Sequence, residues 1–298
     1  MRPASPVATG TACVIASAVA FGAMAILARV AFASGVDTST LLALRFGIAA
    51  VAMFAIAGAR RIPLPTGSML GALALLGALG YGGQAFSFFT ALTLAPAGLC
   101  ALLLYLHPAL VALLAAVFLH ERLTVVKLAA LAVALAGTVL TIAPALTSEH
   151  DVPANAGVAA GIGFAIAAAV FYALYIVIGA WFGRRVSAFP VSTIVIGSAA
   201  AVFIAGSLAR GPQWPQNAAG WIAVLAIALL STVAAITLYF AGLTRVGPTR
   251  ASTLSTLEPL VTVALAAIVL GERIEPVQMA GGALILTAVV LLARGRAA

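Results

Sequence analysis

The sequence predicts an all-α membrane protein with ten transmembrane helices, arranged as two inverted five-helix repeats. Of its 298 residues, 64% are hydrophobic and only 7% are charged, whereas soluble globular proteins carry roughly 25% charged residues. The apolar residues form ten long runs, and the second half of the chain repeats the pattern of the first. Because no water-soluble fold could bury this much apolar surface, the chain is expected to span a lipid bilayer many times.

The ten apolar runs indicate helices because each approaches the length of about 20 residues that a helix needs to cross a membrane. A transmembrane β-barrel would instead show alternating polarity, which these runs lack. Charged residues, prolines and glycines separate the runs. The predicted spans are 8–31, 38–58, 68–90, 96–118, 124–143, 156–182, 189–209, 219–242, 248–270 and 275–293.

The basic residues indicate the orientation of the chain in the membrane. If the N-terminus lies in the cytoplasm, eleven of the fifteen Lys and Arg residues fall on the cytoplasmic side and three on the other side. Cytoplasmic loops of membrane proteins carry an excess of Lys and Arg. The sequence therefore predicts that both termini are cytoplasmic, in a multi-pass membrane protein.

An internal repeat appears when each residue is compared with the one 151 positions later. The register pairs Leu92-Thr93 with Leu243-Thr244, Pro108 with Pro259, and Glu121-Arg122 with Glu272-Arg273. The predicted repeats cover 1–147 and 153–298. Because each repeat contains five spans, an odd number, the second must enter the membrane from the opposite side. Inverted repeats are typical of carriers that bind substrate near the membrane midplane and expose it alternately to the two sides.

Two ionisable residues, His107 and Glu258, directly precede the paired prolines Pro108 and Pro259. Proline cannot donate a backbone hydrogen bond within a helix, so these prolines free the carbonyl groups of Leu104 and Ser255. Lipid cannot satisfy a free carbonyl group, whereas protein or a hydrated cavity can. Both proline sites are therefore expected to face a cavity between the repeats and to serve as helix breaks in gating.

Each ionisable residue within a predicted span has a functional and a structural interpretation. Glu258 either contacts a substrate ammonium group or exchanges a proton, or it is protonated or pairs with Arg45 and only braces helices. His107 suits proton coupling, but a neutral ring bonded to a freed carbonyl group is the preferred interpretation. Arg45 could bind a substrate carboxylate, although extending to the membrane surface or bonding helix ends is preferred.

Further polar and aromatic residues recur at helical spacing and could line a pocket. Tyr81, Gln84 and Phe88 share one predicted face, as do Ser252, Ser255 and Glu258, while Tyr172 and Tyr175 are three residues apart. Hydrogen bonds between helices would explain the same polar residues without a substrate. The candidate substrate-binding residues are Tyr81, Gln84, Phe88, Tyr105, His107, Tyr172, Tyr175, Tyr239, Ser255 and Glu258, with Pro108 and Pro259 as helix breaks.

Several sequence blocks resemble the EamA-type transporters of the drug/metabolite transporter superfamily. These are the proline-to-Glu-Arg blocks at 108–122 and 259–273, the run at 243–286, "AFGAMAILARVAF" at 20–32 and "LLALRFGIAA" at 41–50. The first block ends in His120-Glu121, where the family usually has Gly-Glu. The resemblance covers nearly the whole chain. It implies two five-helix repeats and export of amino acids or other metabolites across the bacterial inner membrane.

The protein is therefore predicted to be a secondary carrier that exports small metabolites, with amino acids as the first expected substrates. Its expected partners are the small-molecule substrate and the lipid bilayer. Other metabolites or drugs are alternative substrates, and an intramembrane enzyme or a channel are alternatives of other classes. The sequence has no P-loop, no metal-ligand cluster and no catalytic triad. An enzyme, a cofactor, a metal and a nucleic-acid partner are therefore not expected. One chain already holds both repeats, so a monomer could suffice.

Overall fold

The computed structural model describes residues 6–95, 97–147, 156–270 and 274–294. This described part contains helices and no strand, which confirms the all-α class. The α-helices are α1 (Pro6–Ala33), α2 (Thr38–Ala59), α3 (Gly67–Leu75), α4 (Gly82–Leu94), α5 (Ala97–Leu104), α6 (His107–Phe118), α7 (Val125–Thr147), α8 (Ala156–Phe182), α9 (Ala188–Arg210), α10 (Ala218–Ala228), α11 (Ala235–Val246), α12 (Pro248–Leu254), α13 (Leu257–Leu270) and α14 (Pro276–Arg294). The predicted Glu272-Arg273 pair lies outside the described residues.

The described helices form a multi-pass membrane protein. Eight helical stretches are long and apolar enough to cross a membrane, and two shorter apolar helices, His107–Phe118 and Pro276–Leu292, coincide with parts of the fourth and tenth predicted spans. Large apolar side chains cover the outside of the bundle: Val125, Ile268 and Val51 are 83%, 79% and 72% exposed. An apolar exterior of this kind is stable in lipid and unstable in water. The count of ten spans stays a prediction.

Short breaks interrupt the fourth and ninth predicted spans next to Pro108 and Pro259, where the sequence had indicated helix breaks. The first break lies at Tyr105 and Leu106, between α5 and α6, and the second at Ser255 and Thr256, between α12 and α13. Each lies just before one of the paired prolines, whose rings exclude the preceding helical turn. The helices of the two halves are therefore interrupted at equivalent places in the sequence.

The carbonyl groups beside these breaks find partners within the protein. The Leu104 carbonyl lies 3.0 Å from Nδ1 of the His107 ring, as preferred for His107 from the sequence. The Ser255 carbonyl accepts a bond from the backbone N–H of Glu258 at 3.0 Å, so it is not free, contrary to the prediction. Satisfying these groups inside the protein meets the requirement that lipid imposes on a broken helix.

A π-helical segment lies within the third long helix of each half. The first (Leu76–Tyr81) joins α3 to α4, and the second (Leu229–Ala234) joins α10 to α11. In each, the N–H after the segment donates to a carbonyl five residues back, Gly82 to Gly77 and Ala235 to Leu230. Such segments are rare and are frequently found at functional sites.

The helices of the two halves pack in a symmetric pattern. The second helix of each half packs against its counterpart (α2 on α9), and so does the last (α7 on α14). The first helix of each half packs against the third helix of the other, with α1 on α11 and α8 on α4. The first helix of each half also packs against part of the fourth span of the other half, α1 against α13 and α8 against α6. A space between the halves is thus enclosed by matching helices from both.

Close contact between α7 and α14 depends on two glycines. A Cβ atom on Gly137 would lie 2.7 Å from the carbonyl oxygen of Gly281 and 2.9 Å from the backbone nitrogen of Ile285. A Cβ atom on Gly281 would lie 2.6 Å from the Gly137 carbonyl oxygen. Because the obstructing atoms belong to the backbone, a larger residue would force the two helices apart.

We therefore expect Gly137→Ala to destabilise the protein by about 1–3 kcal/mol, the usual cost of overpacking. The measurement is the thermal unfolding of the detergent-purified protein. Gly71→Ala is the matched control, because nothing lies within 4 Å of a Cβ atom at Gly71 in α3. An unfolding temperature of Gly137→Ala equal to that of the control would contradict the close crossing.

The first helix break gives a second prediction. Replacing His107 by Phe removes the ring nitrogen that bonds the Leu104 carbonyl, and a buried unsatisfied carbonyl group costs about 1–3 kcal/mol. Thermal unfolding should therefore occur at a lower temperature in His107→Phe than in the wild type. Leu106→Phe is the control. Leu106 is 44% exposed, and its replacement adds an aromatic ring next to the break without removing a hydrogen-bonding group. Equal losses in both variants would show that the bond contributes nothing.

Candidate functional site

All five tyrosines of the chain contribute to one interior region. Tyr81 and Tyr175 stack with ring centroids 5.2 Å apart, and Tyr175 stacks on Tyr172 at 6.2 Å. The His107 ring continues the row, 4.5 Å from Tyr172 and 6.1 Å from Tyr105. The row joins the first helix break and α6 to the first π-helical segment and α8, so aromatic side chains from both halves meet.

The position of these tyrosines is unusual, because tyrosine in membrane proteins is enriched at the two membrane–water interfaces. Here tryptophan lies near the ends of α9. Trp181 precedes α9 and lies under the Arg185 guanidinium at 3.9 Å. Trp214 follows α9 and stacks on Trp221 at 6.4 Å. The interior tyrosines are therefore not placed at the membrane–water interfaces, and Tyr105 among them lines the cavity described next.

A cavity of about 330 Å³ lies between the two halves. Its walls come from α1, α2, α4 and α5 of the first half and from α10 and α13 of the second, and most of the lining is apolar. The ionisable and hydroxyl-bearing residues along it are Arg45, Tyr105, Glu258 and Thr262. An apolar pocket of this size with a few polar groups is typical of a small-molecule site.

Glu258 is the acidic residue of this cavity. It stands in the first turn of α13, directly after the helix break, and its side chain is half-buried. No side chain or backbone group in the described residues donates a hydrogen bond to its carboxylate, and none forms an ion pair with it. An ionisable residue at membrane depth is a functional candidate by default. The break therefore presents an acidic group to the cavity with its bonding capacity unused.

Arg45 is the basic residue of the same cavity, and the preference for a surface-directed side chain was wrong. Arg45 is 5% exposed, and its guanidinium donates from Nε to the Thr232 hydroxyl at 2.8 Å and from Nη2 to the Tyr81 hydroxyl at 3.0 Å. The suggested pairing with Glu258 is also wrong, because no ion pair joins them in the described structure. The two hydroxyl groups hold the guanidinium inside the bundle.

The two ends of the bundle differ in how they are closed. At the end of the bundle that contains Asp37, an open cleft of about 840 Å³ lies between α2, α4 and α9. Leu42 lines both this cleft and the central cavity. Burial acts to raise the pKa of Asp37, but hydrogen bonds from Thr40, Ser39 and Gln213 outweigh it, so the pKa is lowered. Asp37 therefore stays charged at the mouth of the cleft at neutral pH.

The other end of the bundle is held by a link between the halves. The Glu121 carboxylate accepts from the Lys127 ammonium group at 3.0 Å and from the backbone N–H of Thr249 at 3.4 Å. Glu121 follows α6 of the first half, whereas Thr249 lies in α12 of the second. This charge-assisted link closes the bundle on the side away from Asp37.

The structure distributes the ten candidate binding residues over three settings. Phe88, Tyr105 and Glu258 line the cavity. Behind its wall lie Tyr81, His107, Tyr172 and Tyr175, joined in the aromatic row, and Tyr239, whose buried hydroxyl has no partner in the described residues. Away from it lie Ser255, whose hydroxyl donates to the Ala251 carbonyl, and Gln84, which is half-buried on α4 and is not among the lining residues that are described.

One expectation about a shared helical face needs correction. Ser252 does not share a continuous helical face with Glu258, because the break at Ser255 and Thr256 lies between α12 and α13. Periodicity assumes a regular helix, and the helix is interrupted here. The shared face of Tyr81, Gln84 and Phe88 stays a prediction.

Sequence reasoning missed two threonines of the site, Thr232, which contacts Arg45, and Thr262, which lies beside Glu258. Thr232 accepts the bond from Arg45, and its own hydroxyl donates to the Ile227 carbonyl five residues back. Thr262 lies one turn after Glu258 and donates to the Gly22 carbonyl of α1 at 3.0 Å. A spacing of four residues could have indicated Thr262, whereas nothing in the sequence indicated Thr232.

Comparisons with known proteins agree with this architecture. The profile of the EamA-like transporter family matches residues 8–143 and again residues 159–294. An uncharacterized transporter of Archaeoglobus fulgidus is 28% identical over 284 residues, covering 95% of each chain. A solved structure, described as "Crystal structure of protein", superposes with a TM-score of 0.83 at 25% identity, over 95% of this chain and 97% of that chain. The chain therefore belongs to the EamA-like transporter family.

Proposed function

We propose that this transporter is a secondary carrier that exports small metabolites, in the first place amino acids, across the bacterial inner membrane. The observation that carries the proposal is the cavity between the halves, in which the Glu258 carboxylate has no partner among the described residues. A substrate ammonium group would supply the missing charge. Aromatic and aliphatic walls would accommodate the rest of a small molecule.

Alternating access is proposed as the mechanism, with Pro108 and Pro259 at the helix breaks that allow the halves to move. Support comes from the symmetric packing of the two halves and from the difference between the two ends of the bundle. The cleft near Asp37 lies next to the central cavity, with Leu42 lining both, while Glu121 links the halves at the opposite end. In this mechanism the Glu121 link breaks when the cavity opens to the other side.

The orientation that we propose places both termini in the cytoplasm and inverts the second repeat. Its support is the distribution of basic residues, since loops rich in Lys and Arg remain cytoplasmic. In this orientation Arg60, Arg61, Arg122, Arg184 and Arg185 lie on the same side of the membrane as the Glu121 link. The cleft near Asp37 then lies toward the periplasm.

An intramembrane enzyme is the rival from a different class, and the site geometry gives it little support. A general base must reach the substrate proton. Nδ1 of His107 already faces the Leu104 carbonyl, and its Nε2 is buried without a partner in the described residues. His107 is therefore placed to support the helix break rather than to carry out chemistry in the cavity.

Transport of a panel of radiolabelled amino acids into proteoliposomes tests the proposal, with wild type and Glu258→Gln compared. Saturable counter-flow is expected for the wild type. Glu258→Gln should raise the half-saturating concentration roughly ten- to a hundredfold, because the substrate loses a charge-assisted bond worth about 1.5–3 kcal/mol.

Glu275→Gln is the matched control, because Glu275 is an exposed carboxylate next to α14 and should leave transport unchanged. Three results would count against the proposal. Absence of transport of every amino acid overturns the amino-acid assignment and directs the search to other metabolites or drugs. Flux that does not saturate indicates a channel. Full activity of Glu258→Gln removes Glu258 from the site.

A further inference from the structure

The positive charge of Arg45 has no counterion in the described structure. The guanidinium group stays protonated in proteins at all accessible pH values. Arg45 is 5% exposed, lies within α2 and forms no ion pair with any described residue. A buried cation without an anion is strongly unfavourable, and in a membrane such a residue is a functional candidate by default.

Arg45 also has hydrogen-bonding capacity to spare. A guanidinium group has five N–H donors, and the hydroxyl groups of Thr232 and Tyr81 take two of them. No other acceptor for the remaining donors occurs among the described residues. Because Arg45 lines the central cavity, these donors are available to a molecule inside it.

The protein holds this guanidinium from both halves at once. Tyr81 is the last residue of the first π-helical segment, and Thr232 lies within the second. The Phe46 ring supports the group from a third side, 4.7 Å from the guanidinium carbon. Two rare helical segments thus converge on one side chain, and a neutral hydroxyl group on each fixes its direction without neutralising its charge.

We propose that Arg45 binds the carboxylate group of the transported molecule, and that the substrates are therefore zwitterions with a carboxylate and an ammonium group. This inference rests on the proposed function for the role of Glu258. The two ionisable residues lie on one cavity without pairing, so each is available to the opposite charge of an amino acid. Arginine suits this role because its planar donors match the two oxygens of a carboxylate.

Ligand-induced thermal stabilisation of the purified full chain tests the inference. The probes are leucine and phenylalanine, their methyl esters, which lack the carboxylate charge, and their N-acetyl derivatives, which lack the ammonium charge. A ligand that binds the folded protein raises its unfolding temperature with concentration, so apparent affinities can be compared. The wild type should bind the free amino acids at least about tenfold more tightly than the methyl esters.

Variants assign this preference to Arg45. Arg45→Gln should reduce the ratio between acid and ester to about one, and Arg45→Lys should leave part of it, since Lys keeps the charge but not the planar fork. Arg60→Gln removes an exposed positive charge at the end of α2 and should leave the ratio unchanged. If Arg45→Gln does not fold, Tyr81→Phe is tested in its place. It keeps the charge of Arg45 but removes one of the two hydroxyl groups that hold the guanidinium, so it should lower the acid-to-ester ratio in part.

The outcomes separate this inference from the proposed function. Esters that bind as tightly as acids in the wild type, or a ratio that survives in Arg45→Gln, overturn the role of Arg45 while amino-acid binding stands. Binding of N-acetyl derivatives alone, abolished in Arg45→Gln, supports the carboxylate site and contradicts amino acids as substrates. Absence of binding by every probe that carries a carboxylate overturns both.

Discussion

The structure depends on one constraint, that lipid offers no hydrogen bonds, so each polar group at membrane depth must find its partner within the protein. Regular helices meet this requirement automatically, and most of the chain is regular helix. The irregular places meet it by specific means. The His107 ring bonds the carbonyl beside the first break, and the Thr232 hydroxyl bonds a carbonyl in the second π-helical region. All of these places adjoin the space between the two halves.

Against this background, the groups that the protein leaves unsatisfied are informative. The carboxylate of Glu258 has no hydrogen-bond or ion-pair partner among the described residues, and the guanidinium of Arg45 has no counterion there. The fold does not pair these two groups with each other and instead holds Arg45 on Tyr81 and Thr232. The fold thus leaves two ionisable residues at membrane depth without a charged partner among the residues that the structure describes, as is common at binding sites. A substrate that carries both charges would supply these partners on binding, and its release would require the site to change shape.

Sequence reasoning predicted the helical class, the membrane setting and the family, because composition and long apolar runs reflect the lipid environment directly. It also indicated Glu258 and the two prolines as places where the helices are irregular. It failed on Arg45, because the partners of a long side chain depend on the packing of distant helices, and Thr232 is 187 residues away along the chain. It failed on the shared face of Ser252 and Glu258 for a related reason: the break between α12 and α13 interrupts the helical periodicity.

The central claim is that the cavity between the halves is the transport site and is exposed alternately to the two sides of the membrane. The most direct measurement is the reaction of a single cysteine with a membrane-impermeant thiol reagent, applied from either face of sealed vesicles. Ala101→Cys places the thiol on the cavity wall, in a chain whose Cys13 and Cys100 are replaced by Ala. We expect reaction from both faces, with rates that change when amino acids are present. Reaction from one face alone, at a rate that amino acids leave unchanged, would show that the cavity is not exposed alternately to the two sides.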